Sequence, residues 1–183
     1  NVRTLRDFFS QYKTERIPLP EKGTAVREIY DEWIMTQKAY NVVDFDDLII
    51  LPIKIFEKKP EILERVQLRW RYIMVDEFQD TSLLQYKLVS MIAAKYRNLA
   101  VVGDDDQSIY AWRGARPENL MQLKEDFPSL KVIMLEQNYR STKVILEASN
   151  RLITKNKKRK EKNLFTDKSQ GDPIEVRELL TEG

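Results

Sequence analysis

Apolar positions in the first forty residues recur at helical spacing. Val26, Ile29, Tyr30, Trp33 and Ile34 share one face of a helix that Thr24 is placed to cap. Ile17-Pro18-Leu19-Pro20 and Gly23 break it from the helical segment before. Asp44 is placed to cap a second helix, with Asp47 three residues on as a carboxylate variant of the capping box. Pro52 predicts a kink or an early end to that helix. Pro60 suits the first position of a third helix running to Trp70.

The pattern changes at Arg71. Tyr72-Ile73-Met74-Val75 is a short apolar run that stops at Asp76-Glu77, the signature of a buried parallel strand. A helix with Leu84, Leu88, Met91 and Ile92 on one face follows, then a second such strand, Leu99-Ala100-Val101-Val102, ending at Gly103-Asp104. Pro117 opens and Pro128 closes another helix, and Lys131-Val132-Ile133-Met134-Leu135 predicts a third strand. Ser141 or Thr142 caps a helix carrying Val144, Ile145, Ala148 and Leu152, after which Ile174 and Val176 alternate with charges as a further strand. Alternating strands and helices predict an α/β fold with a parallel sheet.

Composition removes several chemistries. The 183 residues contain no Cys and no His, which excludes disulfides, thiol nucleophiles, Cys/His zinc sites and histidine acid–base catalysis. Catalysis would run on carboxylates, amides, Arg, Lys and a hard metal such as Mg²⁺. A net charge of +2 says little about partners. Six of the eight positions from Lys155 to Lys162 are basic, as in a backbone-gripping patch or a solvated loop. No apolar run approaches the roughly 18 residues of a membrane span. The first residues, Asn-Val-Arg-Thr, carry neither an initiator Met nor a signal-peptide pattern and read as a start inside a longer protein.

In open α/β sheets ligands bind at the carboxyl ends of strands. Two strands here end in acid clusters, Asp76-Glu77-Phe78-Gln79-Asp80 and Asp104-Asp105-Asp106-Gln107. An apolar strand followed by Asp-Glu is a Walker B pattern, in which the Asp holds Mg²⁺ and the Glu orients and deprotonates an attacking water. Acids at strand ends are also ordinary turn formers and caps. Beyond Gln107, Tyr110, Trp112 and Arg113 form a set able to stack on bases and grip phosphate, or to serve as core.

The chain resembles the Rep/PcrA/UvrD family of superfamily 1 DNA helicases. Val75-Asp76-Glu77-Phe78-Gln79-Asp80 is similar to its motif II, and Val102-Gly103-Asp104-Asp105-Asp106-Gln107-Ser108-Ile109-Tyr110-Ala111-Trp112-Arg113-Gly114-Ala115 to its motif III. Leu135-Glu136-Gln137-Asn138-Tyr139-Arg140-Ser141 is similar to motif IV, and Asp44-Phe45-Asp46-Asp47-Leu48 to another recurrent segment. The resemblance implies ATP as cofactor, with Mg²⁺ on Asp76, Glu77 as base, Gln107 sensing the γ-phosphate, Tyr139 on the adenine ring and Arg140 on the γ-phosphate. It implies that Trp112 stacks on single-stranded DNA, with Tyr110 and Arg113 beside it. The implied fold is partial RecA-like P-loop NTPase lobes with parallel strands, preceded by a helical segment. Residues 1–40 would end a helical insertion, 41–128 would be the later part of the first lobe, and 129–183 the start of the second.

No Gly-x-x-x-x-Gly-Lys-Ser/Thr occurs around the five glycines. By the resemblance, that loop lies before residue 1 and motifs V and VI after residue 183. The expected activity of the parent is ATP-dependent 3′–5′ translocation and unwinding, on single-stranded and partial-duplex DNA, in replication or repair. Such a protein would be cytoplasmic and associated with the bacterial nucleoid, and the isolated chain would be inactive. The alternatives are the helicase subunit of a recombination nuclease complex and a non-enzymatic binding module.

Overall fold

The computed structural model describes residues 2–156 and 162–178, so most of the basic run at 155–162 lies outside the described residues. The chain divides into two units, residues 1–128 and 129–183.

The first unit begins with α1 (Val2–Lys13) and α2 (Ala25–Ala39). Thr24 caps α2 through its side-chain oxygen, which accepts from the Arg27 N–H. The two helices meet through aromatic rings: Phe9 lies 5.4 Å from Tyr30 and 5.2 Å from Trp33, centroid to centroid. At the end of α1 the Lys13 ammonium sits 2.8 Å from Asp44 and 2.7 Å from Asp47, and 4.9 Å over the Trp33 ring. Its side chain is only 8% exposed. Burial pulls the Lys13 pKa down, but hydrogen bonds to both carboxylates and their charges outweigh burial and hold it above its ordinary value. Asp44 is the mirror case: burial pushes it up, while Lys13 and the Asp47 N–H hold it below the usual carboxylate range.

The ion cluster fixes the entry to α3 (Asp47–Lys58). Asp44 and Asp47 exchange backbone-to-carboxylate bonds of 3.1 and 3.0 Å, the reciprocal pattern of a capping box. The helix itself starts at Asp47, with Asp46 at its N-cap. Pro52 does not end α3, which continues to Lys58. Pro52 is the sixth of its twelve residues, so its missing N–H costs one interior bond, and the buried Ile50, Ile53 and Phe56 around it keep the helix packed. α4 (Pro60–Arg69) has Pro60 at its first position.

β1 (Ile73–Val75) and β2 (Leu99–Val101) pair in parallel, in the register Ile73–Leu99 and Val75–Val101. α5 (Leu83–Ala93) connects them in a βαβ unit and packs with α3 and α4. Its N-terminus carries a full capping box between Ser82 and Gln85. Gln67, on α4, donates to the Met91 carbonyl and joins α4 to α5. α6 (Asn119–Asp126) follows a lead-in turn containing Pro117 and packs on the turn at 78–80. Phe78 is fully buried and Leu123 nearly so. Phe78 lies edge-on to Tyr86, whose hydroxyl donates to the Asp126 carboxylate. Burial, then this bond, push the Tyr86 pKa up to about 12.

The second unit contains α7 (Lys143–Ile153). Its first amides, at Lys143 and Val144, donate to the Ser169 and Gln170 carbonyls, and Leu146 is buried beneath it. The strands expected at 131–135 and around Ile174 and Val176 are absent among the described residues. Val132, Ile133, Met134 and Leu135 are all exposed, and so are Ile174 and Val176. An apolar run becomes a buried strand only against neighbouring strands, and among the described residues the nearest pairing is an isolated bridge beyond the segment, Gln137 to Phe165. The described structure is thus mixed α/β with one two-stranded parallel sheet.

Candidate functional site

The two acid clusters lie side by side because the strands that end in them are paired. The ladder continues past the strands: Val102 N–H donates to the Val75 carbonyl and Phe78 N–H to the Val102 carbonyl. Asp76 stands exposed at the end of β1, with one carboxylate oxygen accepting from the Glu77 N–H at 2.9 Å. Its other oxygen has no protein partner among the described residues. Glu77 is also exposed and adopts φ 50°, ψ 41°, a left-handed conformation uncommon outside glycine and often found where function fixes the backbone.

Gln79 is almost wholly buried, at 1% exposure, between the two loops. Its Nε2 donates to Glu77 Oε2 at 2.8 Å, and its Oε1 accepts from the Asp104 N–H at 2.9 Å. Gly103 makes room for it: a Cβ there would lie 2.9 Å from Gln79 Oε1 and 3.3 Å from its backbone nitrogen. The Asp104 carboxylate accepts from the Asp106 N–H and, at 2.7 Å, from Gln107 Nε2. The second acid cluster therefore spends Asp104 on shaping its own turn. The motif resemblance assigns Gln79 no role. A glycine directly after an apolar strand was the available signal that something approaches the backbone there.

The aromatic residues sit on the next turn of the same loop. Tyr110 is 38% and Trp112 71% exposed, so Trp112 is not part of the core. Arg113 lies 4.6 Å over the Trp112 ring and 5.3 Å over that of Tyr110. Gly114, at φ 91°, closes the turn, and Arg16 packs across it with Cδ 3.0 Å from where a Cβ would be. The turn is fastened to the two residues that follow the first acid cluster. Ala115 bridges Ser82, Arg116 N–H donates to the Thr81 carbonyl, and the buried Asn119 amide donates to Thr81 and Ser82. A cleft of about 530 Å³ lined by Arg16, Ser82, Gln85, Arg113 and Arg116 adjoins it.

Asp76, Glu77, Gln107, Tyr110, Trp112 and Arg113 thus lie in the first unit, on two loops joined by hydrogen bonds. Tyr139 and Arg140 lie in the second. Tyr139 is exposed and its hydroxyl donates to Gln137 Oε1 at 2.7 Å. The Arg140 side chain is exposed, and its backbone is held by Asn138 Oδ1 and Lys168 Nζ.

Residues 4–128 match the model of the UvrD/REP helicase N-terminal domain. The chain belongs to the UvrD/Rep helicase family. Residues 133–182 match the family's second model, the UvrD-like helicase C-terminal domain. Among UvrD/Rep relatives, the ATP-dependent DNA helicase PcrA of Staphylococcus epidermidis strain ATCC 35984 is 50% identical over 157 residues, 86% of this chain. The PcrA of Staphylococcus aureus strain Mu50 is 47% identical over the same length. In each case the chain spans 22% of the relative's length. Against the cofactors of such helicases, the donor set present is all oxygen. Asp76, with an oxygen to spare at a strand end, suits a hard cation such as Mg²⁺. Among the described residues no helix is long and apolar enough to cross a membrane.

Proposed function

We propose that this chain is the central part of an ATP-dependent helicase motor that moves 3′ to 5′ on single-stranded DNA and opens partial duplexes. In this reading residues 1–40 end a helical insertion, 41–128 belong to the first RecA-like lobe and 129–183 begin the second. One arrangement supports it best. The loops that end β1 and β2 carry Glu77 and Gln107 and are tied by Gln79, and the loop after β2 continues without interruption to the exposed Tyr110, Trp112 and Arg113.

Mg²⁺ bound at Asp76 would supply positive charge against the nucleotide phosphates. Glu77, exposed and held by Gln79, takes the proton of the attacking water. Gln107 presents its amide to the terminal phosphate, and a change in its position is carried along the loop to Trp112. Trp112 and Tyr110 offer ring faces to unstacked bases, and Arg113 adds a cation beside them. Tyr139 contacts the adenine ring, and Arg140 supplies charge to the terminal phosphate.

The test is Glu77→Gln in the full-length protein. Nucleotide binding should stay close to wild type while DNA-stimulated kcat falls about 10²–10⁴-fold, the usual effect of losing a general base. A near-normal kcat would return Glu77 to a turn-forming role.

A further inference from the structure

Gln79 occupies a position that packing alone does not explain. A buried glutamine that only fills space needs any donor and any acceptor within reach. This one spans two loops. Its N–H donor meets a carboxylate two residues away, and its carbonyl meets a backbone N–H 25 residues away. The orientation of the amide is set by those partners, since Asp104 N–H requires an acceptor and the Glu77 carboxylate a donor. The Gly103 backbone closes against it so tightly that a methyl group would collide with its oxygen. Beyond Asp104 the path continues through the carboxylate to Gln107 Nε2 at 2.7 Å. Four side chains, Glu77, Gln79, Asp104 and Gln107, are thus connected through one unbroken line of hydrogen bonds and a single peptide N–H.

We propose that Gln79 is a positioning residue that holds the Glu77 carboxylate and the Asp104–Gln107 turn in one frame, so that base and phosphate sensor keep a fixed mutual geometry. The inference rests on the roles given to Glu77 and Gln107 above. Glu77 needs such a hold because it is exposed and its carboxylate makes no capping bond to the turn that follows it, which leaves the Gln79 amide to fix it. Without the amide its oxygens would sample several rotamers. A misplacement of about 1 Å is enough to slow chemistry about 10²-fold.

The experiment separates the two ends of the amide in the full-length protein. Gln79→Glu keeps the oxygen that accepts from Asp104 and removes the donor to Glu77. Gln79→Met removes both. Gly103→Ala leaves Gln79 in the sequence and pushes its amide aside. In nucleotide-free protein, hydrogen exchange at the Asp104 amide should quicken in Gln79→Met and Gly103→Ala and stay slow in Gln79→Glu. In steady-state ATP hydrolysis all three should lower kcat about 10–100-fold, with KM for ATP changed less than about threefold. In a Glu77→Gln background the same three substitutions should cost nothing further, because they act through the carboxylate already removed. Should Gln79→Met melt below the assay temperature, Gln79→Glu and Gly103→Ala carry the reading.

Unchanged Asp104 exchange in Gln79→Met or Gly103→Ala would overturn the bridge. Equal losses in the wild-type and Glu77→Gln backgrounds would overturn the positioning role and leave a structural one. If instead Glu77→Gln alone leaves kcat intact, the base assignment fails, while the exchange arm still reports on the bridge.

Discussion

Trp112→Ala separates a stacking surface from a core residue by magnitude. A tryptophan buries about 150–250 Å² when fully covered. Trp112 is 71% exposed, so roughly three-tenths of that area is covered, about 45–75 Å². At about 25 cal/mol per Å² its removal costs about 1–2 kcal/mol of folding stability. Loss of the exposed Arg113 cation–π contact adds about 0.5–1 kcal/mol at most. Phe78, with no exposed surface, is the internal control: Phe78→Ala should cost about 3–5 kcal/mol. For DNA the ordering reverses. One lost base–aromatic stack costs about 1–3 kcal/mol of binding, which raises Kd about 5- to 150-fold. The assay pairs urea denaturation with titration of fluorescent single-stranded DNA into the full-length variant at one fixed salt concentration. Hydrolysis without DNA should be nearly unaffected. A variant that binds DNA as tightly as wild type but unfolds as early as Phe78→Ala would refute the stacking argument.

Lys13→Met should destabilise the protein by about 3 kcal/mol, because it leaves the Asp44 and Asp47 carboxylates facing each other with no cation; denaturation midpoints check it, and adding Asp44→Asn and Asp47→Asn should restore much of the loss. The Asp44 contribution is present above its unfolded value near 3.8 and is lost as pH falls through its depressed folded value, so the gap between wild type and Asp44→Asn in thermal melts should close in acid. Tyr86 behaves in the opposite sense: raised from 10.0 to about 12, it contributes stability below pH 10 that is lost by about pH 12, and the advantage of wild type over Tyr86→Phe should vanish across that window. The 183-residue chain alone, having no Gly-x-x-x-x-Gly-Lys-Ser/Thr, should release no phosphate from Mg²⁺-ATP with DNA present; steady turnover at about 1 s⁻¹ or faster would contradict this.

The parts of the structure visible in the sequence are those set by local chemistry. Thr24 caps α2, Pro60 opens α4, and apolar runs halted by acids mark β1 and β2, because caps, fixed φ angles and short apolar runs act within a few residues; the burial expected of the two strands is not met, since Met74 is 79% exposed and none of their residues is buried. The Ser82–Gln85 capping box is equally local, set by two residues three apart. What the sequence hid depends on distant neighbours. Val132–Leu135 has a strand's composition but no adjacent strand among the described residues. Gln79 stands between acids, and what buries it is the Gly103 backbone, 24 residues away. Nothing near Lys13 in the sequence marks it for burial, and its carboxylate partners arrive only with the return of the chain at Asp44 and Asp47.

The Lys13 cluster also governs where this chain can accept extra residues. It ties residue 13 to residues 44 and 47 and so closes a loop whose far end is the exposed, proline-containing stretch around 17–23. Loop closure depends weakly on length: doubling such a loop costs only about 0.6 kcal/mol. A tag or a small inserted domain near Gly23 should therefore leave the helix pair assembled. The stretch from Gly103 to Asn119 behaves in the opposite way. It is fastened to residues 77–82 at Asp104, Ala115, Arg116 and Asn119, and one added residue between 107 and 112 would put those fastenings out of step. Length variation among homologous chains should gather in the first stretch and avoid the second.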